Sequence, residues 1–345
     1  RAVEHIDGPS IVIAGAGSGK TRVLTYKIAH LLNNGFEPCH ILALTFTNKA
    51  ATEMKTRIGH LGGMERGRYL NMGTFDSVFS HILRTEAERI GFGKQYTIYD
   101  ENDSRSLCKV IIKEMGLDDK IYKPATVHAR ISMAKNHLIL PAQYAKDSHA
   151  LQHDRDSRMP AMSHIYTTYC ERCRKSNAMD FDDLLVYTHQ LFNEHDDVLQ
   201  KYRDRFRFIL VDEYQDTNFV QQSIVTRLAE AHRRICVVGD DAQSIYGFRG
   251  ANIDNILDFQ EKFADAEMFK LEQNYRSTQR IVLAANSLIK HNRRQIPKDI
   301  FSRNDKGERL TLKPAYSDTE EAMIVCNDIR RIHRADACAY SDFAV

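Results

Sequence analysis

The sequence contains no tryptophan, no long apolar run and almost no net charge. Its 345 residues carry 48 Lys and Arg against 46 Asp and Glu, which gives a formal net charge of +2. No window approaches 18 uncharged apolar residues, so the pattern argues against a transmembrane helix. The small net charge excludes a strongly basic overall field, and any nucleic-acid binding must therefore come from local patches and aromatic side chains.

The seven cysteines are an odd number, scattered through a long chain without a visible secretory signal. This usage favours a reducing, cytoplasmic setting with unpaired thiols. Cys170 and Cys173 form one C-x-x-C pair, which occurs both in half zinc sites and in redox pairs. No second pair follows at a suitable spacing, and the surrounding pattern is helical, so we favour an ordinary structural role for both thiols.

Short apolar runs alternate with helical patterns along the chain, which is typical of buried parallel strands in an α/β sheet. The runs are residues 10–14, 41–46, 208–211, 235–238 and, less distinctly, 268–271. The stretch 91–205 is mostly helical in pattern, charged and rich in His. We interpret it as a helical insertion, because strands resume directly after it. A second break follows near Arg276.

A glycine-rich loop follows the first predicted strand. Its residues are Ala14, Gly15, Ala16, Gly17, Ser18, Gly19, Lys20 and Thr21. Such a loop wraps phosphate with backbone N–H groups, and the helix predicted over 23–32 adds a positive dipole. Lys20 would reach the β- and γ-phosphates, the Thr21 hydroxyl would ligate Mg²⁺, and Arg22 joins the nucleotide-binding set. Ala14 departs from the usual first glycine. The alternative, a dinucleotide-binding turn, leaves Lys20 and Thr21 unexplained.

An acidic pair, Asp212 and Glu213, follows the apolar run 208–211 directly. Carboxylates in this place lie at the sheet edge where Mg²⁺ and the γ-phosphate would sit. Asp212 would hold the Mg²⁺ through its water shell, and Glu213 would take a proton from the attacking water. An acidic pair after a strand is unremarkable alone, but after a phosphate loop it predicts the second half of an ATP site.

Longer motifs follow one another in a fixed order, and together they resemble those of the UvrD/Rep/PcrA-like DNA helicases of superfamily 1. The string L-V-D-E-Y-Q-D-T-N at 210–218 is similar to motif II of that family. Segments 43–54, 73–77, 238–251 and 271–278 are similar to motifs Ia, Ib, III and IV. Segment 180–185 is similar to one that closes the family's helical insertion.

The resemblance implies an α/β fold: a RecA-like P-loop NTPase domain with a parallel sheet and helices on both faces. A helical domain is inserted into it, and the start of a second RecA-like domain follows. Residues 1–90 plus 206–276 would form domain 1A, residues 91–205 domain 1B, and residues 277–345 the beginning of domain 2A. The family's adenine-reading Gln and its motifs V and VI are not found in this sequence, so we expect an N-terminal fragment of a longer helicase.

The resemblance also assigns residue roles around the nucleotide. Lys20, Glu213, Gln243 and Arg276 form the implied catalytic set. Gln243 would sense the γ-phosphate and link it to the DNA side, and Arg276 would contact the γ-phosphate as an arginine finger. Tyr275 would stack on adenine. Without the resemblance, Arg276 would pass for a surface arginine after a strand.

Single-stranded DNA is implied to lie on a second group of residues. They are Phe46, Thr47, Asn48, Thr74, Phe75, Tyr246, Phe248 and Arg249. Aromatic rings suit this task, because every base offers a π-face and stacking ignores base identity. Two positions depart from the family: Phe248 stands where Trp is frequent, and Asp76 stands where His is common. A carboxylate at Asp76 would repel backbone phosphate.

The implied function is that of an ATP-dependent DNA helicase or translocase. ATP hydrolysis, stimulated by DNA and requiring Mg²⁺, would drive 3′→5′ movement on single-stranded DNA and unwinding at duplex junctions in the full-length protein. The direction rests on the resemblance alone. Two alternatives stay open: the helicase portion of an AddA-like helicase–nuclease, and a nucleotide-gated DNA-binding module with little turnover.

Overall fold

The structure, a computed structural model, describes residues 1–62 and 69–345. The strands in chain order are β1 (Ser10–Ala14), β2 (Ile41–Thr45), β3 (Asn71–Thr74), β4 (Thr97–Tyr99), β5 (Ala178–Asp180), β6 (Phe208–Val211), β7 (Ile235–Gly239), β8 (Glu267–Leu271), β9 (Gln273–Asn274) and β10 (Phe301–Ser302). Six of them form one sheet in the order β3-β2-β6-β7-β1-β8, and every neighbouring pair in it is parallel.

The described helices alternate with these strands. They are α1 (Lys20–Asn33), α2 (Asn48–Gly62), α3 (Phe75–Glu86), α4 (Glu101–Glu114), α5 (Pro124–Asn136), α6 (Pro141–Tyr144), α7 (Ser148–Asp156), α8 (Met162–Lys175), α9 (Phe181–Glu194), α10 (Asp196–Arg205), α11 (Phe219–Ala229), α12 (Asp254–Leu257), α13 (Phe259–Lys262), α14 (Gln279–Ile289) and α15 (Asp318–Ala335). Within the described ranges, no helix combines the length and apolar character needed to cross a bilayer.

Helices cover both faces of the six-stranded sheet, as the predicted fold class requires. Successive residues of a strand point to opposite faces, and β1 shows this directly. Ile11 and Ile13 belong to one buried core, with α3, α9, α10 and α11, whereas Val12 and Ala14 belong to a second core, with α1 and α2. Burial on both faces explains why the strands read as continuous apolar runs instead of alternating ones. The α/β prediction is confirmed.

The inserted helices have a third core of their own. It consists of residues from α4, α5, α6 and α8, among them Ile111, Ile131 and Tyr169. The parallel pair β4–β5 stands where the chain enters and leaves this part. Pro124 and Pro141 occupy the first turns of α5 and α6, where a missing backbone N–H costs nothing.

The last part of the predicted insertion packs elsewhere. Leu184 and Phe192 of α9 and Leu199 of α10 lie in the core beneath the sheet, not in the core of the inserted helices. The core of the inserted helices therefore ends at Cys173, and α9 and α10 pack with the helices beneath the sheet. Helical periodicity alone cannot tell which core an apolar helix face will meet, which is why the sequence grouped these helices with the insertion. The three domain ranges stay a prediction, and residues 63–68 of the first lie outside the described residues.

The segment after β8 is thinly packed. Strand β9 pairs in parallel with β10. In chain order, α14 lies between these two strands and α15 comes after β10. Val282 is the buried residue of α14, and no residue of α15 is buried. Large apolar side chains stay exposed here, with Leu283 at 66% and Leu312 at 92%.

Candidate nucleotide and DNA sites

The glycine-rich loop lies between β1 and α1, at the carboxyl end of a central strand. Helix α1 begins at Lys20, three residues earlier than the sequence pattern indicated. Gly19 precedes it with φ of 99° and Gly17 has φ of 70°, a left-handed backbone that glycine adopts without strain. The Ser18 hydroxyl donates a hydrogen bond of 2.7 Å to the carbonyl oxygen of Gly15 and closes the turn. This is the strand–loop–helix setting in which a helix N-terminus receives phosphate.

A cleft of about 870 Å³ opens beside this loop. The residues predicted for catalysis all line it: Lys20, Glu213, Gln243 and Arg276. The predicted nucleotide-binding residues that line it are Gly15, Ala16, Gly17, Ser18, Gly19, Lys20, Thr21, Arg22 and Tyr275. Ala14 is fully buried at the end of β1 and is not among the lining residues. The sequence thus indicated residues more than 250 positions apart that meet in one cleft.

Five residues of the cleft wall were not predicted as site residues. Val3 comes from the N-terminal segment, Val23 and Tyr26 from α1, Arg57 from α2 and Leu271 from the end of β8. The guanidinium of Arg22 lies 5.5 Å from the ring centroid of Tyr26, one helical turn further on. This spacing of four residues is visible in the sequence and could have identified Tyr26. Arg57 carries no comparable sequence pattern.

Lys20 and Glu213 meet at the base of the cleft. The Lys20 Nζ lies 2.7 Å from Glu213 Oε2, and the amide of Gln215 donates to the same oxygen at 2.9 Å. Glu213 has φ of 47°, a left-handed conformation that non-glycine residues adopt at a cost. The two groups predicted to handle phosphate and water therefore start as one ion pair, and a phosphate would compete with Glu213 for Lys20.

Asp212 is the buried neighbour of Glu213, with 6% of its surface exposed. Burial raises the pKa of this carboxyl to about 7, and the negative charge of Glu213 adds to the effect. Such a carboxyl needs a nearby positive charge to ionise fully. Together with the Thr21 hydroxyl it offers oxygen donors, which are the ligands that Mg²⁺ prefers. The donor set therefore fits the predicted Mg²⁺.

Gln243 is joined to Glu213 through hydrogen bonds. Its Nε2 donates to Asp240 Oδ2 at 2.6 Å, and the backbone N–H of Asp240 donates to Gln215 Oε1 at 3.0 Å. The Gln215 amide in turn reaches Glu213. Lys298 approaches Asp240 at 3.1 Å and Asp241 at 2.5 Å, so this network also contacts the segment after β8. The loops after β6 and β7 are thus held together beside the cleft.

Three aromatic rings of the predicted DNA group lie in a row. The ring centroids of Phe46 and Tyr246 are 5.4 Å apart, and those of Tyr246 and Phe248 are 6.1 Å apart. Arg249 lies 5.7 Å from the Tyr246 centroid and 5.5 Å from that of Phe248. Phe248 is 71% exposed and Phe46 is 37% exposed. These rings offer free faces beside a positive charge, which suits a stacked single strand.

The remaining predicted DNA residues divide into two kinds. Thr47 and Asn48 are exposed at the start of α2, and the Thr47 hydroxyl accepts from the N–H of Ala50 at 3.1 Å. Thr74 caps α3 in the same way, accepting from the N–H of Ser77. Phe75 is different, because it is 4% exposed and belongs to the core beneath the sheet. Its ring cannot reach a base, and we interpret it as a core residue.

A groove of about 420 Å³ runs between the aromatic row and the inserted helices. Phe46, Phe248 and Arg249 line one side of it, and the groove also contains the carboxylates of Asp76 and Asp182. Burial raises the pKa of Asp76 to about 6, and the charge of Asp182 adds to the shift. The pKa of Asp182 is likewise raised to about 6, by burial and then by Asp180.

The cysteine pair lies on α8, inside the inserted helices. Burial raises the pKa of Cys170 to about 12 and raises that of Cys173 as well. Both thiols therefore stay protonated at neutral pH, whereas a metal ligand or redox nucleophile acts as the thiolate. In the part of the chain that the structure describes, one cluster of three potential metal ligands occurs, Glu37, Cys39 and His40, and it includes neither thiol.

Comparison with known proteins matches this chain to models of one helicase family. The model of the UvrD/REP helicase N-terminal domain matches residues 1–264, and that of the UvrD-like helicase C-terminal domain matches residues 269–345. A protein named ATP-dependent DNA helicase PcrA from Leuconostoc citreum is 43% identical over all 345 residues, which cover 45% of that relative. Proteins of the same name from Staphylococcus epidermidis and Staphylococcus aureus are 43% and 42% identical, each with 46% of its length covered. The chain spans a little under half the length of these relatives.

Proposed function

This chain belongs to the UvrD/REP helicase family, and on that premise we propose that it carries the ATP site of a DNA helicase that translocates on single-stranded DNA. One observation carries the proposal. Lys20, Glu213, Gln243 and Arg276 come from four separate segments and line a single cleft at the carboxyl ends of parallel strands. Nucleotides bind at this edge in open α/β sheets.

The cleft supports a division of labour in ATP hydrolysis. Lys20 binds the terminal phosphates and gives up its contact with Glu213 when it does so. Glu213, released from the ammonium, accepts the proton of the attacking water. Thr21 and Asp212 would hold Mg²⁺, which neutralises phosphate charge when bound. Arg276 and Gln243 contact the γ-phosphate. Tyr275, which is 66% exposed, stacks on adenine.

The hydrogen-bond path from Glu213 through Gln215 and Asp240 to Gln243 supports a link between the phosphate and the DNA side. Gln243 precedes the loop that carries Tyr246, Phe248 and Arg249 by a few residues. A shift of Gln243 upon ATP hydrolysis would therefore reach the rings on which bases stack. We propose movement in the 3′→5′ direction, unwinding at duplex junctions and a cytoplasmic setting, supported by the family resemblance and by relatives named as DNA helicases.

Steady-state ATP hydrolysis by the full-length protein, with and without single-stranded DNA, tests the proposal. We expect DNA to stimulate hydrolysis, and Lys20→Ala to abolish it while the chain stays folded. Lys113→Ala, on the exposed face of α4, is the matched control and should behave as wild type. Normal hydrolysis by Lys20→Ala would contradict the assignment of the loop. Tight ATP binding without turnover in wild type would instead favour the nucleotide-gated binding module.

A further inference from the structure

The side chain of Asn274 joins the phosphate loop to the turn that carries Arg276. Its Nδ2 donates a hydrogen bond of 2.7 Å to the carbonyl oxygen of Ala16. Its Oδ1 accepts from the backbone N–H groups of Arg276 at 2.8 Å and of Ser277 at 2.7 Å. Asn274 is 5% exposed, so water does not compete strongly for these bonds. One buried amide thus makes three hydrogen bonds, one to the loop and two to the turn.

Backbone contacts hold the same two segments together. The N–H of Tyr275 donates to the carbonyl oxygen of Gly17 at 3.0 Å. A Cβ placed on Gly17 would lie 2.8 Å from the Cβ of Arg276 and 3.1 Å from the amide of Asn274. The turn therefore lies directly against a loop residue that has no side chain. Close approach of the turn, in addition to φ, requires glycine at this position.

We propose that Asn274 is a positioning residue, whose side-chain amide fixes Arg276 relative to the phosphate loop and so aligns its guanidinium with the terminal phosphate of a bound nucleoside triphosphate. The inference rests on the proposed function, because it takes Arg276 to contact that phosphate. Asparagine suits the task, since its acceptor holds the turn while its donor holds the loop. Aspartate keeps the shape and the acceptor but has no donor for Ala16.

The experiment compares the affinities of the 345-residue chain for ATPγS and for ADP, with Mg²⁺ present. The ratio of the two affinities measures contacts with the terminal phosphate and is insensitive to a general loss of folded protein. We expect Arg276→Ala to lower the ratio roughly tenfold to a hundredfold, the worth of one hydrogen bond to a charged group. Asn274→Ala and Asn274→Asp should lower it in the same direction. Asn274→Asp is available if Asn274→Ala does not fold; it removes the bond to Ala16 and also adds a negative charge, so it is compared with itself in the Arg276→Ala background, where any remaining loss is due to that charge.

A double-mutant cycle separates positioning from general support. In the Arg276→Ala background, Asn274→Ala should leave the ratio unchanged, because the contact that it positions is already gone. Asn304→Ala is the matched control, since Asn304 donates to the carbonyl oxygens of Tyr275 and Ser277 on the exposed side of the same turn. It should leave the ratio at the wild-type value.

The outcomes are distinct. Additive effects of Asn274→Ala and Arg276→Ala, or equal losses of ATPγS and ADP affinity in the Asn274 variants, would overturn the inference and leave the proposed function standing. An unchanged ratio in Arg276→Ala would overturn the role of Arg276 itself. Absence of nucleotide binding by wild type would contradict the proposed function.

Discussion

Glu213 adopts a left-handed backbone conformation that costs on the order of 1–3 kcal/mol, and its carboxylate holds the side chains of Lys20 and Gln215. Its φ of 47° turns the carboxylate towards Lys20 and Gln215, which both contact Oε2. A glutamine at this position keeps the size of the side chain but accepts no proton from water. Substitution can therefore test the proposed phosphate-binding role of Lys20 separately from the proposed proton-accepting role of Glu213.

We expect Glu213→Gln to bind ATP and Mg²⁺ nearly as wild type does, with hydrolysis reduced by about 10²–10⁴, the usual contribution of a general base. Lys20→Ala should instead lose nucleotide affinity. Equilibrium binding of ATP and single-turnover hydrolysis measure the two effects independently. Equal losses of ATP affinity in both variants would argue against separate roles.

The aromatic row predicts how single-stranded DNA is bound. Phe248→Ala should weaken binding by about 1–3 kcal/mol, the worth of one base–aromatic stack. Arg249→Ala should instead lower the log–log salt slope by roughly 0.7, if it meets one phosphate. Fluorescence anisotropy at several salt concentrations measures both. Phe79→Leu, in the core, is the control for loss of an aromatic ring that DNA cannot reach. Unchanged affinity in Phe248→Ala would show that this ring does not stack on DNA.

The carboxylates of the groove predict a pH dependence. Asp76 has a pKa raised to about 6, so its ionised form, which repels phosphate, dominates above that pH. Affinity for single-stranded DNA should therefore rise as pH falls from 8 to 5.5. Asp76→Asn should weaken this pH dependence and raise the affinity at pH 8. Part of the pH dependence should remain, because Asp182 titrates in the same range. Asp119→Asn, at an exposed position of the insertion, serves as control.

The raised pKa of Asp76 also predicts how Asp76→Asn changes the stability of the fold at different pH values. The unfolded carboxyl ionises near pH 3.8 and the folded one near pH 6, so ionisation opposes folding as pH rises through that interval. Asp76→Asn should then raise the melting temperature at pH 7.5 and not at pH 3.5. A pH-independent difference would contradict the raised pKa.

Residue type and order predicted which side chains line the cleft beside the glycine-rich loop, but not which ones are exposed. Phe46 and Phe75 both follow a strand, and both were assigned to DNA. Phe46 is 37% exposed and Phe75 is 4% exposed. Burial depends on which helix face meets the sheet, and a motif pattern contains no such information. The sequence likewise identified Asn274 only as part of a motif. Its three hydrogen-bond partners are brought together by the fold, so the motif alone does not predict them.

Among the elements of the fold, helices α5 and α9 are joined by a buried ion cluster. Lys135, near the end of α5, lies 2.6 Å from Asp180 and 2.7 Å from Asp183 at the start of α9. The Tyr169 hydroxyl donates to Asp180 at 2.8 Å. Burial opposes the charge of Lys135, but the two carboxylates outweigh it and raise its pKa. This cluster ties the inserted helices to a helix of the sheet's core.

Removal of the ammonium would leave two carboxylates buried without a counter-ion. We expect Lys135→Met to lower the free energy of unfolding by about 3–5 kcal/mol. Lys113→Met, on an exposed face, should change it by no more than about 0.5 kcal/mol. Urea denaturation measures both. Additional replacement of Asp180 and Asp183 by Asn should restore part of the loss, and similar values for the two Met variants would contradict the account.

Each of the five apolar runs overlaps a strand. Four of these strands, β1, β2, β6 and β7, are buried along their whole length, whereas β8, whose run was the least distinct, is only partly buried. Strand β3 was not anticipated, because N-M-G-T is short and half polar, and its place depends on pairing with β2. Helices α9 and α10 were recognised as helical but grouped with the insertion. Their apolar faces could have met either core, and the choice is made by tertiary packing, which periodicity does not encode.

At the scale of the whole molecule, the segment after β8 has little core. Helix α15 has no buried residue, and α14 leaves Leu283 and Leu288 mostly exposed. Translocation requires one folded body to move against another. We expect residues 1–345 alone to bind nucleotide, to hydrolyse it slowly and to unwind nothing. A strand-displacement assay on a tailed duplex, run beside ATPase measurements, tests this. Robust unwinding by these residues would contradict this expectation.

The position of β1 in the sheet has a consequence for biosynthesis. Residues 10–14 emerge before both neighbours of this strand, which lie far along the chain at 236–239 and 267–271. At about 5–20 residues per second, the ribosome needs roughly 10–50 s to produce the second neighbour. The inserted helices draw their core from residues 108–173 and can assemble within that delay. During this time residues 10–14 remain an unpaired apolar segment, which a nascent chain must keep from pairing with other chains.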